Sequence, residues 1–305
     1  MKITIAAANG FIGSYLSVYL TAQGHDVSVL VRRPTGSPHR HFLWNPFTGE
    51  IDLAAIDGQD VIINLAGKNV AEERWNDRVK REIVQSRNLA TELIGKSIAK
   101  VASKPRLLLN ASAVGYYGNR VADELISETS SVGTGFMASA CAGWEDATRF
   151  AHDAGTRVVC LRIGVVLAGN GGALDKMLPF FRLGIGGKIG SGNQMMSWIA
   201  LEEIGHIVEH IIAHQSIAGP VNLTTPHAVT NSEFTRLLGK ALHRPAIFPV
   251  PAFALKLMFG QMAEEVLLGG ANISPKKLLD SGYHFRHTDL LQTFENIFAK
   301  KEGHR

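Results

Sequence analysis

The first thirty-three residues constrain the fold of this chain more than any other stretch. The apolar run at residues 2–7 predicts a buried strand. Residues 14–23 then predict a helix that stops at Gly24, and residues 26–31 predict a second strand. The turn between the first strand and the helix reads Asn9-Gly10-Phe11-Ile12-Gly13. This order of elements is typical of a dinucleotide-binding βαβ unit.

Glycine is needed in such a turn where the backbone passes close to a pyrophosphate, and again where the helix packs on the strand. Gly10 and Gly13 occupy these two places. The first glycine of the usual fingerprint is replaced, because both positions where it could fall are alanine, Ala7 and Ala8. The turn predicts phosphate binding at a helix N-terminus, and an ordinary strand–helix turn is the alternative interpretation.

The end of the second predicted strand indicates which dinucleotide is bound. A site for NAD offers an acidic side chain to the ribose 2′-hydroxyl about twenty residues after the turn. This strand ends instead in Val31-Arg32-Arg33. Two guanidinium groups suit a 2′-phosphate, so the sequence predicts NADP as the cofactor.

Composition and charge narrow the class of protein. With 305 residues, 46% of them apolar, the chain is long enough for a large α/β domain, with or without an appendage. The formal charge of +4 is small and the basic residues are scattered, so we expect no nucleic-acid partner. Cys141 and Cys160 have neither metal-ligand nor disulfide spacing. Without a signal peptide or a membrane-length apolar run, we expect a cytoplasmic protein with no membrane partner.

Further strands and helices alternate along the chain. Apolar strands at residues 60–65, 106–111 and 157–163 are separated by helices at about 77–101 and 136–153. This pattern predicts an α/β fold, a Rossmann-type doubly wound parallel sheet with a small C-terminal substrate-side region.

The glycine-rich stretch at residues 164–198 shows poor helical periodicity, and we interpret it as substrate-side loops. Prolines punctuate the sequence from Pro245 onward. We therefore predict an NADP-binding domain at residues 1–244 and a small C-terminal domain at residues 245–305.

Several longer motifs, taken in order, resemble one family. They are AAANGFIG (6–13), NLAG (64–67), SRNLAT (86–91), NASAVGYYG (110–118), Trp144-Glu145, RIGVVL (162–167) and the C-terminal stretch 249–285. Together they resemble the atypical extended short-chain dehydrogenase/reductases called epimerase family proteins, or nucleoside-diphosphate-sugar epimerases, some of which carry the label of cell-division inhibitor. The resemblance covers essentially the whole chain.

The resemblance implies a set of cofactor contacts. Beyond the turn residues 9–13 and Arg33, it points to Val31, Arg32, Leu65, Ala66, Glu82, Arg87 and Val165. Val165 would flank the nicotinamide end. From the sequence alone, Glu82 and Arg87 also fit a solvated helix face with ordinary charges.

The catalytic residues depart from the pattern of the superfamily. Related enzymes use a Tyr-x-x-x-Lys pair for proton transfer, together with a serine that holds the reacting oxygen. Ser112 occupies the serine position, but Phe136 and Ala140 stand where the tyrosine and lysine should be. Tyr116 and Tyr117, close to Ser112 in the chain, are the candidate replacements, with aromatic packing as the alternative role.

Other reactive residues receive plainer interpretations. Cys141 is predicted to be a buried thiol, and Glu145 a structural or orienting group. The segment 206–210 matches the H-x-x-E-H pattern of some zinc peptidases, but it also fits one face of an amphipathic helix. We expect no metal site.

The sequence thus predicts an NADP(H)-binding oxidoreductase or epimerase-like protein acting on a small, sugar-nucleotide-like substrate. The alternative is a catalytically silent NADP(H) sensor or interaction protein, including a regulator of cell division. The missing tyrosine and lysine favour the sensor, whereas the glycine-rich substrate-side loops favour the enzyme.

Overall fold

The structure is a computed structural model that describes residues 1–34 and 36–302, with side chains up to residue 299. These residues form two compact units assembled from interleaved segments. The first unit comprises Met1–Ala113, Ala140–Arg162 and Val208–Val221. The second comprises Val114–Ser139, Ile163–Ile207 and the chain from Asn222 onward.

Strands and helices follow one another along the whole described chain. The strands are β1 (Lys2–Ala6), β2 (Asp26–Val31), β3 (Arg40–Asn45), β4 (Glu50–Ile51), β5 (Val61–Asn64), β6 (Leu107–Ala113), β7 (Leu125–Ile126), β8 (Arg157–Ile163), β9 (Val165–Leu167), β10 (Met195–Met196), β11 (Trp198–Ala200), β12 (Gly219–Leu223), β13 (Val229–Thr230) and β14 (Asn272–Ile273). The helices are α1 (Phe11–Ala22), α2 (Asp77–Ile98), α3 (Phe136–Asp146), α4 (Arg149–Asp153), α5 (Gly172–Arg182), α6 (Leu201–Ala213), α7 (Asn231–Ala241), α8 (Ala252–Phe259), α9 (Lys276–Asp280) and α10 (Leu290–Glu302).

A mostly parallel sheet of eight strands, in the order β12-β8-β6-β5-β1-β2-β3-β4, forms the centre of the first unit. Strand β1 lies between β2 and β5, with Ala6 opposite Leu30 on one side and Asn64 on the other. The edge strand β4 pairs antiparallel to β3. This is the predicted Rossmann-type α/β fold.

The core of the first unit packs α2 and neighbouring segments against one face of this sheet. Its members are apolar side chains that the strands and the helix bury together: Ala6, Leu30, Phe42, Trp44, Ala55, Ile56, Ile62, Ala66, Ala90, Ile94, Ile98, Val101, Leu108, Ala151, Val158 and Cys160. Continuous apolar strands such as β5 are required here because a parallel sheet is covered on both faces.

Two helix boundaries differ from the predicted ones for local reasons. Helix α1 begins at Phe11, since Gly10 already adopts an extended N-cap conformation with φ −77° and ψ 171°. The single helix predicted at residues 136–153 is two helices, α3 and α4. They separate where both the amide and the hydroxyl of Thr148 donate to the Glu145 carbonyl, at 3.1 and 2.6 Å.

The interpretation of residues 164–198 as loops is wrong in part, because α5 lies within this stretch. Leu174, Leu178 and Phe181 repeat at helical spacing and are buried in the core of the second unit. The glycines that suggested loops flank this helix, with Gly171 and Gly184 at φ 92° and 73°. The high glycine content of this stretch therefore masked the periodicity of a short amphipathic helix that lies between two glycine turns.

Early and late segments of the chain meet in the second unit. Strand β7 pairs in parallel with β14, placing Ile126 opposite Ile273. Tyr117, Ile126, Ala271 and Ile273 form a small buried cluster. The domain boundary at residues 244 and 245 stays a prediction.

Candidate functional site

The turn after β1 has the shape of a phosphate-binding turn although its first glycine is missing. Ala7 adopts the left-handed conformation, with φ 60°. Its carbonyl oxygen accepts a hydrogen bond from the Gly10 amide at 2.9 Å. Left-handed backbone is costly for alanine, so the fold imposes here the conformation that glycine takes freely.

Gly13 fits the turn only because it lacks a side chain. A Cβ atom built on Gly13 would lie 2.3 Å from the Ala7 carbonyl oxygen and 2.9 Å from the Ala8 Cα atom. On Gly10 it would lie 3.2 Å from the same carbonyl. The first turn of α1 therefore sits directly on the β1 turn, leaving its backbone amides as the donors that a pyrophosphate needs.

The strand order brings the other predicted cofactor residues to the same edge of the sheet. Because β5, β1 and β2 are adjacent and parallel, their carboxyl ends meet around the turn. Val31 ends β2, and Leu65 and Ala66 follow β5. Val31 and Leu65 are half-buried, whereas Ala66 is buried.

Arg32 and Arg33 lie exposed immediately after β2. Within the described ranges 1–34 and 36–302, neither guanidinium group forms an ion pair or a side-chain hydrogen bond. Their charges are therefore not neutralised by acidic groups of this part of the chain.

Lys68 attaches the loop after β5 to helix α2. Its amide donates to the Ser86 hydroxyl at 2.9 Å, and its carbonyl accepts from Arg87 Nη1 at 2.9 Å. The Arg87 guanidinium also lies over the Trp144 ring, 4.8 Å from the ring centre. Burial lowers the pKa of Arg87, while the nearby Cys141 acts in the opposite direction. Arg87 thus fixes the path of the NLAG segment beside the β1 turn.

Glu82 belongs to an alternating network of four charges. Its carboxylate accepts from Lys68 at 2.7 Å and from Arg78 at 2.6 Å, and the same two cations also pair with Glu73. Hydrogen bonds from Lys68 and Arg78 hold the pKa of Glu82 below its ordinary value. Glu82 and Arg87 both contact Lys68: Glu82 accepts from its side chain, and Arg87 donates to its carbonyl oxygen. This shared residue, and not a common helix face, connects them.

Two buried asparagines, at the end of β5 and within β6, join these strands to α2, and sequence reasoning missed their role. Asn64 Nδ2 donates to Asn110 Oδ1 at 2.7 Å and to Thr91 Oγ1 at 2.9 Å. Trp144 Nε1 donates to the same threonine at 3.1 Å. Asn64 also accepts the Ala66 amide at 3.2 Å. A polar asparagine in each of two otherwise apolar strand segments was the available signal.

Ser112, near the end of β6, is part of a buried polar triad with Glu145 and Arg162. The Ser112 hydroxyl donates to Glu145 Oε1 at 2.6 Å. Arg162 donates from Nε to the same oxygen and from Nη2 to Oε2, both at 2.8 Å. The side chains of Arg162 and Glu145 are 3% and 14% exposed. Glu145 is therefore an orienting group, as predicted, and the group that it orients is Ser112.

Cys141 is buried, as the sequence suggested. Burial raises the pKa of its thiol to about 11, although the positive charge of Arg87 acts in the opposite direction. A thiol with this pKa carries almost no thiolate at neutral pH. Cys141 is not poised to act as a nucleophile.

The two candidate tyrosines differ sharply in exposure. Tyr117 is completely buried, and its hydroxyl donates to Asn222 Oδ1 at 2.7 Å. Asn222 in turn donates to the Ser274 carbonyl at 2.9 Å. This burial argues against proton transfer from Tyr117 to a substrate, and the hydroxyl instead ties three segments of the second unit together. Tyr116 is half-buried and packs edge-on against the Tyr117 ring.

Helix α3 carries Phe136 and Ala140 in place of the usual acid/base pair. The Phe136 and Met137 amides donate to the Glu265 carboxylate at 3.1 and 2.8 Å, so a residue from the C-terminal region caps this helix. Ala140 is buried. Val165, predicted near the nicotinamide, begins β9 in the second unit, where it pairs with Trp198.

The H-x-x-E-H segment lies on α6, and its side chains have other partners. Glu209 pairs with His25 Nε2 at 2.8 Å, and the His210 ring stacks on His214. Arg286 lies 2.9 Å from His206 Nε2. In the described ranges, no three His, Cys, Asp or Glu side chains are grouped so as to hold a metal ion. No helix of the described chain is both long and apolar enough to cross a bilayer.

A parallel sheet with a glycine turn beside its central strands defines a dinucleotide-binding α/β protein. Residues 3–223 match the NAD dependent epimerase/dehydratase family, and residues 250–297 match a domain of unknown function, DUF1731. The chain therefore belongs to the NAD dependent epimerase/dehydratase family, which confirms the resemblance found in the sequence.

Three relatives show how similar this chain is to known proteins in sequence and in structure. It is 43% identical to the epimerase family protein Mb2239 of Mycobacterium bovis, over 94% of each chain. The crystal structure of human epimerase family protein SDR39U1 with NADPH has a TM-score of 0.89 at 32% identity, covering 97% of this chain and 99% of the human one. A nucleoside-diphosphate sugar epimerase from Corynebacterium glutamicum has a TM-score of 0.79 at 32% identity. That match covers 99% of this chain but 61% of the longer Corynebacterium chain.

Proposed function

We propose that this protein binds NADP(H) at the turn after β1 and acts as an oxidoreductase or epimerase on a small, sugar-nucleotide-like substrate. The observation that carries the cofactor assignment is the turn itself, in which Ala7 is forced into a glycine-like conformation and Gly13 leaves no room for a side chain. Human SDR39U1, which is similar over its whole length, was crystallised with NADPH.

Arg32 and Arg33 supply the preference for the phosphorylated cofactor. Both are exposed at the carboxyl end of β2, where the adenine ribose lies in folds of this type. Since no acidic group of the described chain neutralises them, they can meet the 2′-phosphate with full charge. Gly10, Gly13 and the amides at the start of α1 would hold the pyrophosphate.

The polar triad of Ser112, Glu145 and Arg162 supports chemistry near the end of β6. When bound, the nicotinamide supplies or accepts a hydride. Because the Ser112 hydroxyl donates to Glu145, its oxygen keeps its lone pairs for a hydroxyl group on a substrate. Arg162 holds both oxygens of the Glu145 carboxylate in place, so a substrate hydroxyl can pass its proton to Ser112 while Ser112 passes its own proton to Glu145. Tyr116 remains the candidate for a second proton-transferring group.

Calorimetric titration with NADPH and NADH tests the cofactor assignment. We expect tighter binding of NADPH, and the substitution Arg32→Ala should remove about ten- to hundredfold of that preference. Arg81→Ala, an exposed arginine on α2, is the matched control and should leave it unchanged. Equal affinity of the unmodified protein for the two cofactors would exclude the proposal.

Turnover tests the catalytic half of the proposal separately. A panel of carbonyl compounds and nucleotide sugars is assayed with the unmodified protein, Ser112→Ala, Glu145→Gln, Tyr116→Phe and Tyr117→Phe. We expect slow activity that Ser112→Ala and Glu145→Gln abolish while NADPH binding persists. Activity that survives both substitutions would refute a role for the triad.

One observation favours the second candidate function, a catalytically silent NADP(H) sensor. Helix α3 carries Phe136 and a buried Ala140 where the usual proton-transfer pair would stand. Tight NADPH binding without turnover of any compound in the panel would support the sensor. A sensor would still need Arg32 to prefer NADPH over NADH. The titration therefore tests cofactor binding, and the turnover assay tests catalysis.

A further inference from the structure

A pocket in the second unit, whose lining includes none of the residues assigned above to the cofactor, contains three basic side chains. Its volume is about 410 Å³. Helix α7 contributes one wall through Ser232, Thr235, Arg236 and Gly239, which repeat at the spacing of a single helix face. The remaining wall contains Lys188, Arg244, Ala246, Ile247 and Pro249.

The backbone is built to bring these walls close together. Leu242 follows α7 as its C-cap, and His243 then adopts a left-handed conformation with φ 53°, which turns the chain back over the helix. A Cβ atom on Gly239 would lie 2.8 Å from the Ala246 Cβ atom. Val250 donates its amide to the Lys188 carbonyl at 2.8 Å, which fixes the opposite wall.

Thr235 lies in the wall of the pocket with its hydroxyl enclosed by the protein. The residue is 3% exposed, and its Oγ1 atom has no hydrogen-bond partner in the described ranges. Because this oxygen is shielded from solvent, it offers no donor to a ligand in the open pocket. The charged side chains of the wall are therefore the groups that indicate a ligand.

The charged groups indicate the sign of that ligand. In the described part of the chain, neither Lys188 Nζ nor Arg244 Nη2 has a partner, although Arg244 Nε donates to the Arg182 carbonyl at 3.1 Å. Arg236 pairs with Glu233 at 2.6 Å. Three cations less that one carboxylate leave a net charge of two positive units, which matches a phosphate dianion.

We propose that this pocket binds the phosphate group of a small phosphorylated molecule. Lys188 and Arg244 meet the phosphate oxygens, and the Ser232 hydroxyl donates to one of them. Ala246, Ile247 and Pro249 offer an apolar surface to the organic part of the ligand. The proposal does not depend on NADP binding, since none of these residues is assigned to the cofactor.

Calorimetric titration with inorganic phosphate and with uridine 5′-monophosphate tests the proposal. We expect saturable binding of both probes, which Lys188→Met weakens by about tenfold or more. Lys240→Met, a lysine of α7 outside the pocket, is the matched control and should change affinity by less than about twofold. If the nucleotide binds more tightly than phosphate, the ligand is organic. Equal affinity would identify free phosphate as the ligand.

Thr235→Val is a second control. Because its hydroxyl is enclosed and unpartnered, its removal should change phosphate affinity by less than about twofold, while the melting temperature of the ligand-free protein stays the same or rises. A loss of affinity as large as that of Lys188→Met would contradict the assignment of the phosphate to the charged wall. The proposal is overturned if neither probe binds, or if Lys188→Met and Lys240→Met alter binding equally.

Discussion

The Ser112 hydroxyl donates to the Glu145 carboxylate across 2.6 Å, and this bond decides what the serine can do. A serine whose hydroxyl donates its hydrogen bond to a carboxylate meets a second group mainly as an acceptor. Arg162 holds both oxygens of the same carboxylate. The triad therefore contains a structural ion pair, and this pair can be tested separately from the proton path proposed above.

The ion pair should be important for stability. Arg162→Met leaves the Glu145 carboxylate buried with only Ser112 as a donor, and we expect the free energy of unfolding to fall by about 3–5 kcal/mol. Arg149→Met breaks an exposed pair with Asp146 and should cost less than about 1 kcal/mol. Urea denaturation measures both variants. Similar losses would mean that the triad is not a buried ion pair.

Gly13 should tolerate no side chain. Gly13→Ala would place a Cβ atom 2.3 Å from the Ala7 carbonyl oxygen, so we expect a loss of about 1–3 kcal/mol in the free energy of unfolding and weaker NADPH binding. The control Gly143→Ala, inside α3, makes only an ordinary contact at 3.5 Å with Asn88 and should not destabilise the fold. An unaltered affinity for NADPH in Gly13→Ala would contradict the assignment of this turn.

Ala7 should be more stable as glycine. Because Ala7 holds a φ of 60°, the substitution Ala7→Gly should raise the free energy of unfolding by about 1 kcal/mol. The neighbouring Ala8 has no left-handed backbone, and Ala8→Gly should lower it by about 0.5–1 kcal/mol. Chemical denaturation of the two variants should therefore shift the midpoint in opposite directions. Shifts of the same sign would show that the turn is relaxed.

Stability should also depend on His287 at alkaline pH. The carboxylates of Glu202 and Glu203, at 3.6 and 2.9 Å, raise the pKa of His287 to about 9 in the folded protein. The histidine therefore stabilises the fold fully below its ordinary pKa near 6.5, and this contribution disappears as the pH rises through about 9. We expect a loss on the order of 2 kcal/mol across that interval, after allowance for partial exposure.

Denaturation curves recorded from pH 6 to pH 10 measure this loss. His287→Gln should flatten the alkaline slope. His152→Gln removes an exposed histidine and should leave the slope as it is. A slope that persists in His287→Gln would assign it to another group.

The parts of the fold that the sequence predicted are those set by local pattern. The strand β2, the glycine turn and the start of α2 follow from periodicity and glycine, each read within a few residues. Helix α5 was missed because its glycine neighbours outweighed three apolar positions. The positions of Ser112, Glu145 and Arg162 depend on how β6, α3 and β8 pack, which no local pattern contains.

The two tyrosines also show that local sequence does not reveal contacts with distant residues. Adjacent tyrosines after a strand look equally available in the sequence, but the hydroxyl of Tyr117 finds its partner at Asn222, far along the chain. The sequence shows that Glu82 is charged but not which cations pair with it. Its partner Lys68 lies in a loop whose path depends on a hydrogen bond from Arg87.

The pairing of β7 with β14 has a consequence for synthesis on the ribosome. Ile126 and Tyr117 emerge early, but Ile273 and Ser274, which complete their surroundings, are added near the end of translation. At ordinary elongation rates the early strand waits roughly ten to thirty seconds for its partner. During that interval its apolar side chains are exposed to chaperones and to other nascent chains, so nascent molecules truncated before residue 272 should be far more prone to aggregate than finished ones.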